Sequence, residues 1–133
     1  MDEVAAVLEL WHLAEAMPSV TDDPETLQSL VERGDEALLV AETDGRLVGS
    51  IIAAWDGWRG NMYRLAILPE YRRRGIASAL IREGERRLAQ KGAVRVSALV
   101  LRQHGDAVGL WMGAGYSADE RVRRFVTFIP PVT

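Results

Sequence analysis

Leu65-Ala66-Ile67-Leu68-Pro69-Glu70-Tyr71-Arg72-Arg73-Arg74-Gly75-Ile76-Ala77-Ser78-Ala79-Leu80 joins an apolar run to a basic turn, and a glycine then opens a periodic segment. The apolar run, Met62 to Leu68, reads as a strand. Pro69 ends it. From Gly75 to Lys91, the residues Ala77, Leu80, Ile81, Gly84 and Leu88 share one face, and Arg82, Glu83, Glu85 and Arg86 share the other. That spacing predicts an amphipathic helix. A helix start leaves backbone N–H groups unpaired and carries the positive end of the helix dipole, so this junction is a candidate anion site. The arginines add charge beside it. Small residues at Gly75 and Ala77 let a ligand approach the backbone closely. Gly84 costs the helix about 1 kcal/mol against alanine, which argues for a close approach to a sheet.

Downstream, Gly92 is a helix C-cap and Val94 to Leu101 is an apolar strand. Strand, helix and strand at this spacing predict a right-handed crossover between parallel neighbours. The basic turn then lies at the carboxyl end of a strand, where open α/β sheets bind ligands. Asp106 to Gly113 reads as a short helix, Gly115-Tyr116 as a turn and Arg121 to Ile129 as a final strand. Upstream, Val4, Val7, Leu8 and Trp11 recur at helical spacing; Asp2 caps this helix and Pro18 closes it. Ser19 to Asp23 is a polar loop. Asp23-Pro24 is a cap followed by a first-turn proline, and Leu27, Leu30 and Val31 form the stripe of a second helix that ends at Gly34. Glu36 to Glu42 and Leu47 to Trp55 form a hairpin around Thr43-Asp44-Gly45-Arg46, and a second turn, Asp56 to Asn61, leads into the strand at Met62. The expectation is one α/β (α+β) domain over residues 1–133, with a mixed, mostly antiparallel sheet and helices on both faces.

Composition narrows the function classes. A chain of 133 residues suits one core. Its apolar share is 48%, and no apolar run approaches a membrane span. A net charge of −3 gives no general attraction to nucleic acid or acidic membranes. The absence of cysteine excludes disulfides, thiolate metal sites and a cysteine nucleophile. Two histidines without ligand spacing give no metal site. Met1-Asp2-Glu3 lacks the profile of a signal peptide, so a cytoplasmic location is the default expectation.

Pro69-Glu70-Tyr71-Arg72-Arg73-Arg74-Gly75-Ile76-Ala77 follows the pattern Gln/Arg-x-x-Gly-x-Gly/Ala after a strand that ends in proline. With the element order from Val4 to Ile129, it resembles the GNAT superfamily of N-acetyltransferases. The resemblance implies acetyl-coenzyme A as co-substrate, no metal, and acetyl transfer to a primary amine by direct attack in a ternary complex. It implies that backbone N–H groups from Arg73 through Ile76 to Ala77, with Ser78 beside them, hold the pyrophosphate. The side chains of Arg72, Arg73 and Arg74 would add charge. Leu65, Ala66 and Ile67 would hydrogen-bond the pantetheine arm as an added strand. A backbone N–H near Ile67 is the expected donor to the thioester carbonyl as negative charge builds on it. In the family's later segment an asparagine precedes a tyrosine by seven residues and a Gly-Phe pair follows; here those positions are His104, Trp111, Gly115 and Tyr116. His104 and Trp111 are the positions of this segment expected at the coenzyme.

The departures are informative. Trp111 stands where the family often has an acid for the leaving thiolate, and an indole N–H is no usable acid. Packing of a helix residue on the sheet is the preferred reading of Trp111, and Tyr116 is a candidate acid beside water. The strand before the turn carries Tyr63 and Arg64 and no carboxylate. Asp22 is the candidate for attracting the amine or acting as base, while Asp23 reads as a cap. Trp58 is a candidate wall of an acceptor pocket or a contact between two copies, so a homodimer is among the expectations. The acceptor is expected to be a small-molecule or peptide amine. The family's first strand is missing from the pattern, which leaves the first hairpin strand as an open edge. A non-catalytic module that binds acyl-coenzyme A for regulation is the alternative, favoured by Trp111 and the absent strand carboxylate. A nucleic-acid surface on Arg72-Arg73-Arg74 and Arg121-Val122-Arg123-Arg124 runs against the acidic balance.

Overall fold

The computed structural model describes residues 2–16, 19, 21–101 and 105–132. Its contacts form two compact units, Met1–Leu99 and Val100–Thr133. The first is built on a four-stranded sheet whose strands lie side by side in chain order. Strands β1 (Leu38–Thr43) and β2 (Arg46–Trp55) form an antiparallel hairpin. Its turn residues Asp44 and Gly45 both have positive φ, 52° and 77°, the backbone that a tight Asp-Gly hairpin turn requires. Strand β3 (Gly60–Ile67) returns antiparallel to β2. After helix α3 (Ile76–Lys91), strand β4 (Val96–Ala98) pairs parallel with the start of β3. The mixed sheet and the crossover are thus both present.

Each face of the sheet carries helices. Helix α1 (Glu3–Leu13) is capped by Asp2, whose Oδ1 accepts from the Ala5 N–H at 2.8 Å. Helix α2 (Pro24–Glu32) is capped by Asp23, which accepts from the Thr26 N–H at 2.8 Å. Val4, Val7, Leu10 and Trp11 from α1 and Leu27 from α2 share a core with Val48, Ile52, Ala66 and Leu68. Val31 is exposed, so the stripe of α2 is narrower than its sequence suggests. On the opposite face α3 lies close to the strands. A Cβ on Gly84 would stand 2.9 Å from Met62 Cε and 3.3 Å from Ala53 Cβ, and one on Gly60 would stand 2.8 Å from Leu88 Cδ1. Glycines on both partners let this helix approach the sheet, as the mid-helix Gly84 implied. Lys91 Nζ and Arg87 Nη1 then tie the helix to the segment before β1, donating to the carbonyls of Asp35 and Glu36 at 2.6 and 3.0 Å.

Several boundaries differ from the sequence reading. Strand β1 starts at Leu38 because Glu36 has φ +56°, outside strand geometry. Strand β4 is Val96–Ala98 where Val94 to Leu101 was expected, and Val94 is 98% exposed. Its ladder reaches only Gly60, Asn61 and Met62 of β3. Beyond that point β3 is bulged, and a bulge bends a strand away from a straight partner. Helix α1 ends at Leu13, and Glu15 follows in the left-handed region at φ +61°; Pro18, the expected terminator, lies outside the described residues. Among the described residues no strand precedes α1, and β1 is an edge strand.

The second unit contains helix α4 (Gly105–Gly113). The expected strand from Arg121 to Ile129 is not formed. Phe125 is 90% exposed, and Val126, Phe128 and Ile129 are exposed with it. A strand exists only through its ladder, and this unit has no other strand among its described residues.

Candidate functional site

A short 3-10 turn, Pro69–Tyr71, carries the chain from β3 into the basic segment. Two left-handed residues follow, Arg73 at φ +64° and Gly75 at φ +85°. Gly75 is the N-cap of α3 and supplies no side-chain cap. Its carbonyl accepts the Ala79 N–H at 3.1 Å, so the N–H groups of Ile76, Ala77 and Ser78 form the uncapped first turn. A Cβ on Gly75 would meet nothing within 4 Å. The space before the helix start is therefore open. Arg73 and Arg74 are exposed beside it, and the Arg74 guanidinium lies 5.0 Å from the centre of the Tyr71 ring. Uncapped N–H groups, the helix dipole and two arginines together form a candidate cradle for a polyanion.

Arg72 is used differently from the sequence expectation. Its Nε donates to the Ile67 carbonyl and its Nη2 to the Ala14 carbonyl, both at 3.0 Å. Two of its donors thus join the end of β3 to the end of α1, where the sequence reading gave this side chain to the anion.

The end of β3 has a defined polarity. The Leu68 N–H donates to the Val48 carbonyl at 2.9 Å, which makes Val48 and Leu68 a hydrogen-bonded pair. Antiparallel pairs alternate, so at the Gly49–Ile67 pair the backbone groups of Ile67 point away from β2. On that side, β4 reaches only Met62. From Tyr63 to Ile67 the strand is paired on one side alone among the described residues. The Ile67 carbonyl is taken by Arg72, and the Ile67 N–H faces the open side.

A polar network lies under this segment. Pairing steps from Ser50–Ala66 to Ile52–Tyr63, so Ile51 spans both Arg64 and Leu65. Arg64 sits in the bulge at φ +55°. Ser50 Oγ donates to the Arg64 carbonyl at 3.0 Å and accepts from Trp11 Nε1 at 2.8 Å. The Arg64 guanidinium lies 5.3 Å from the centre of the Trp11 ring. It also grips Asp22, with Nε to Oδ1 at 3.1 Å and Nη2 to Oδ2 at 2.6 Å. Asp22 Oδ2 accepts the Ser19 N–H as well, at 3.1 Å. Asp22, expected as a loose acid for the amine, is one half of an ion pair whose side chains are only 18% and 19% exposed. The sequence reading missed Ser50, Trp11 and the Asp22–Arg64 pair. One signal was present: Ser50 is the lone polar side chain in the run Leu47 to Trp55.

The remaining candidates fall as follows. Asp23 is the α2 cap, and the N–H and hydroxyl of Thr26 hold its carboxyl below the usual aspartate range. Trp58 is 70% exposed on the β2–β3 turn, with the Arg59 guanidinium 4.0 Å from its ring centre. In the second unit Trp111 is buried and meets Tyr116 edge-on, with ring centres 4.8 Å apart and planes at 77°. This contact lies within the second unit. His104 lies outside the described residues. No helix among the described residues is long and apolar enough to cross a membrane.

The chain and its fold are similar to those of known proteins. The acetyltransferase (GNAT) family model matches residues 4–116. An acetyltransferase of Pectobacterium atrosepticum is 35% identical over 107 residues, covering 80% of this chain and 75% of that one. An acetyltransferase of Yersinia pestis is 29% identical over 121 residues, covering 91% and 86%. Among solved structures, the PaiA N-acetyltransferase of Thermoplasma acidophilum, in complex with coenzyme A, shares the fold at TM-score 0.74 and 18% identity, covering 89% of this chain and 86% of that one. The aminoglycoside N-acetyltransferase AAC(6')-Iy in complex with coenzyme A gives TM-score 0.72 at 19% identity, covering 93% and 88%. The chain belongs to the GNAT family of acetyltransferases: it is an N-acetyltransferase that depends on acetyl-coenzyme A.

Proposed function

We propose that the cradle at the start of α3 binds the pyrophosphate of acetyl-coenzyme A through the N–H groups of Arg73 to Ser78 and the charges of Arg73 and Arg74. The open side of β3, Leu65 to Ile67, receives the pantetheine arm as an added strand. The observation that carries this reading is the adjacency of the two features. An uncapped helix start follows a strand whose outer edge is unpaired beyond Met62 among the described residues. Acetyl-coenzyme A supplies an activated thioester. The Ile67 N–H faces the side on which that thioester would lie, so it serves as donor to the carbonyl oxygen while negative charge builds there. The primary amine of a small-molecule or peptide acceptor attacks the carbonyl carbon directly, the carbon–sulfur bond breaks, and the sulfur leaves as thiolate. The amine's surplus proton passes to water, since β3 carries no carboxylate and Asp22 is held by Arg64.

Calorimetry with acetyl-coenzyme A, followed by thiol release across a panel of amines, tests the proposal. Saturable binding and thiol release with at least one amine are expected. Absence of binding overturns the reading. Binding without release on any amine overturns the proposed direct attack by a primary amine.

A further inference from the structure

We propose that Ser50 and Trp11 are positioning residues for acetyl transfer: they hold the Arg64–Leu65 bulge of β3, and the bulge is what frees the Ile67 N–H. The inference rests on the assignment of that N–H as donor to the thioester carbonyl.

The register shows why the bulge matters. Below it, Ile52 faces Tyr63; above it, Ser50 faces Ala66. Were the lower register continued without a bulge, Val48 would face Ile67. The Val48 carbonyl points toward β3, because it accepts the Leu68 N–H at 2.9 Å. In the unbulged strand it would therefore take the Ile67 N–H instead. One residue of slip reverses the direction of every group beyond it. The extra residue in β3 thus turns the Ile67 N–H from the interior of the ladder to its open side.

That geometry is not the chain's local preference. Arg64 is a non-glycine residue at φ +55°, a conformation that costs an L-residue of order 1 kcal/mol. Its surroundings must hold it. The Arg64 carbonyl accepts from Ser50 Oγ at 3.0 Å, and Ser50 Oγ accepts from Trp11 Nε1 at 2.8 Å. The indole is a donor only, so it fixes the hydroxyl as acceptor on one side and leaves its proton for the Arg64 carbonyl. The Arg64 side chain is held by Asp22 in the same region. Ser50 is 0% exposed and is the buried polar side chain of the first unit's core among the described residues. Burying a hydroxyl gains nothing over burying a methyl group unless its direction is used. Here both of its hydrogen-bonding roles are used, and both lead to the bulge.

Infrared difference spectra of protein-bound acetyl-coenzyme A, labelled with carbon-13 at the acetyl carbonyl, test this without knowing the acceptor amine. In the wild-type protein the bound carbonyl band is expected below the free one, because a donor polarises it. In Ser50→Ala the band returns more than halfway to the free position, while the dissociation constant, set by the cradle, changes by less than about threefold. Ser50→Ala also leaves the Trp11 N–H without its acceptor, which lowers stability. The double variant Trp11→Phe with Ser50→Ala removes that orphan, so part of the lost melting temperature returns; the carbonyl band stays near the free position. If Ser50→Ala does not fold, Trp11→Phe alone keeps the hydroxyl but frees its orientation, and a smaller shift of the band is expected. A wild-type shift retained in full by these variants overturns the proposal and leaves the donor assignment standing. No shift in the wild type overturns the donor assignment itself.

Discussion

Gly75 combines two constraints in one residue. Its φ of +85° strains any side chain, and nothing stands within 4 Å of where a Cβ would be. A large side chain would therefore project into open space before the helix rather than into the core. Gly75→Trp is expected to stay folded, with a modestly lower melting temperature, and to lose acetyl-coenzyme A binding in calorimetry. Gly45→Ala is the matched control, at φ +77° with equally open space; it should show a similar strain and unchanged affinity. The three arginines divide by role. Arg72→Ala removes two hydrogen bonds to backbone carbonyls and should lower stability by about 1 kcal/mol in urea unfolding. Arg73→Ala with Arg74→Ala should instead weaken binding and flatten its dependence on salt. At this scale the caps at Asp2 and Asp23 and the glycine at the start of α3 were legible, because each acts on its own neighbours. The Asp22–Arg64 pair was not, since 42 residues separate its members and no local spacing encodes that meeting.

Helix α3 and the sheet fit each other through missing side chains. Gly84→Val places branched carbons where Met62 Cε and Ala53 Cβ already stand, 2.9 and 3.3 Å from the first added atom. A loss of about 1–3 kcal/mol in urea unfolding is expected from this overpacking. Gly84→Ala should be close to neutral, because a helix-propensity gain of about 1 kcal/mol offsets the tighter contact with Ala53. Helices were well read from sequence because their signal, apolar spacing and caps, lies within the element. Strands were read less well, for the same physical reason turned around. Strand β4 pairs only with Gly60 to Met62 of β3, and Arg121 to Ile129 has strand-like composition without a ladder among the described residues. Composition supplies the tendency; a distant segment supplies the hydrogen bonds.

Across the molecule, several carboxylates are held in their ionised form. Glu83 is drawn down to about 2 by hydrogen bonds from Arg86 and Arg87. Asp56 lies below its ordinary value because the N–H groups of Arg59 and Trp58 bind it, and Asp23 does so through Thr26. Each is depressed in the folded chain, so its contribution is complete above the ordinary carboxylate range and lost as pH falls through the folded value. The urea midpoint should therefore decline between pH 4.5 and about 2, the interval that Glu83 spans. These groups are solvent-exposed, so added salt should flatten the decline, and Glu83→Gln should remove part of it. The sheet, both helix layers around it and the candidate site described above lie in the first unit, while Trp111 and Tyr116 belong to the second. The sequence reading placed one domain over the whole chain, from a length and an apolar share that suit one core.

The one-sided edge of β3 has a mechanical consequence. Strand β4 leaves β3 at Met62 while β3, still paired with β2, runs on to Ile67, and among the described residues this leaves a slot on its other side. In the proposed binding mode the pantetheine arm fills that slot with the same amide contacts a strand would make, so the coenzyme acts as a strut as well as a reagent. Anything that binds only the folded chain raises its stability in step with its own concentration. The resistance of this enzyme to unfolding and proteolysis would then follow the supply of coenzyme around it, acetylated or free.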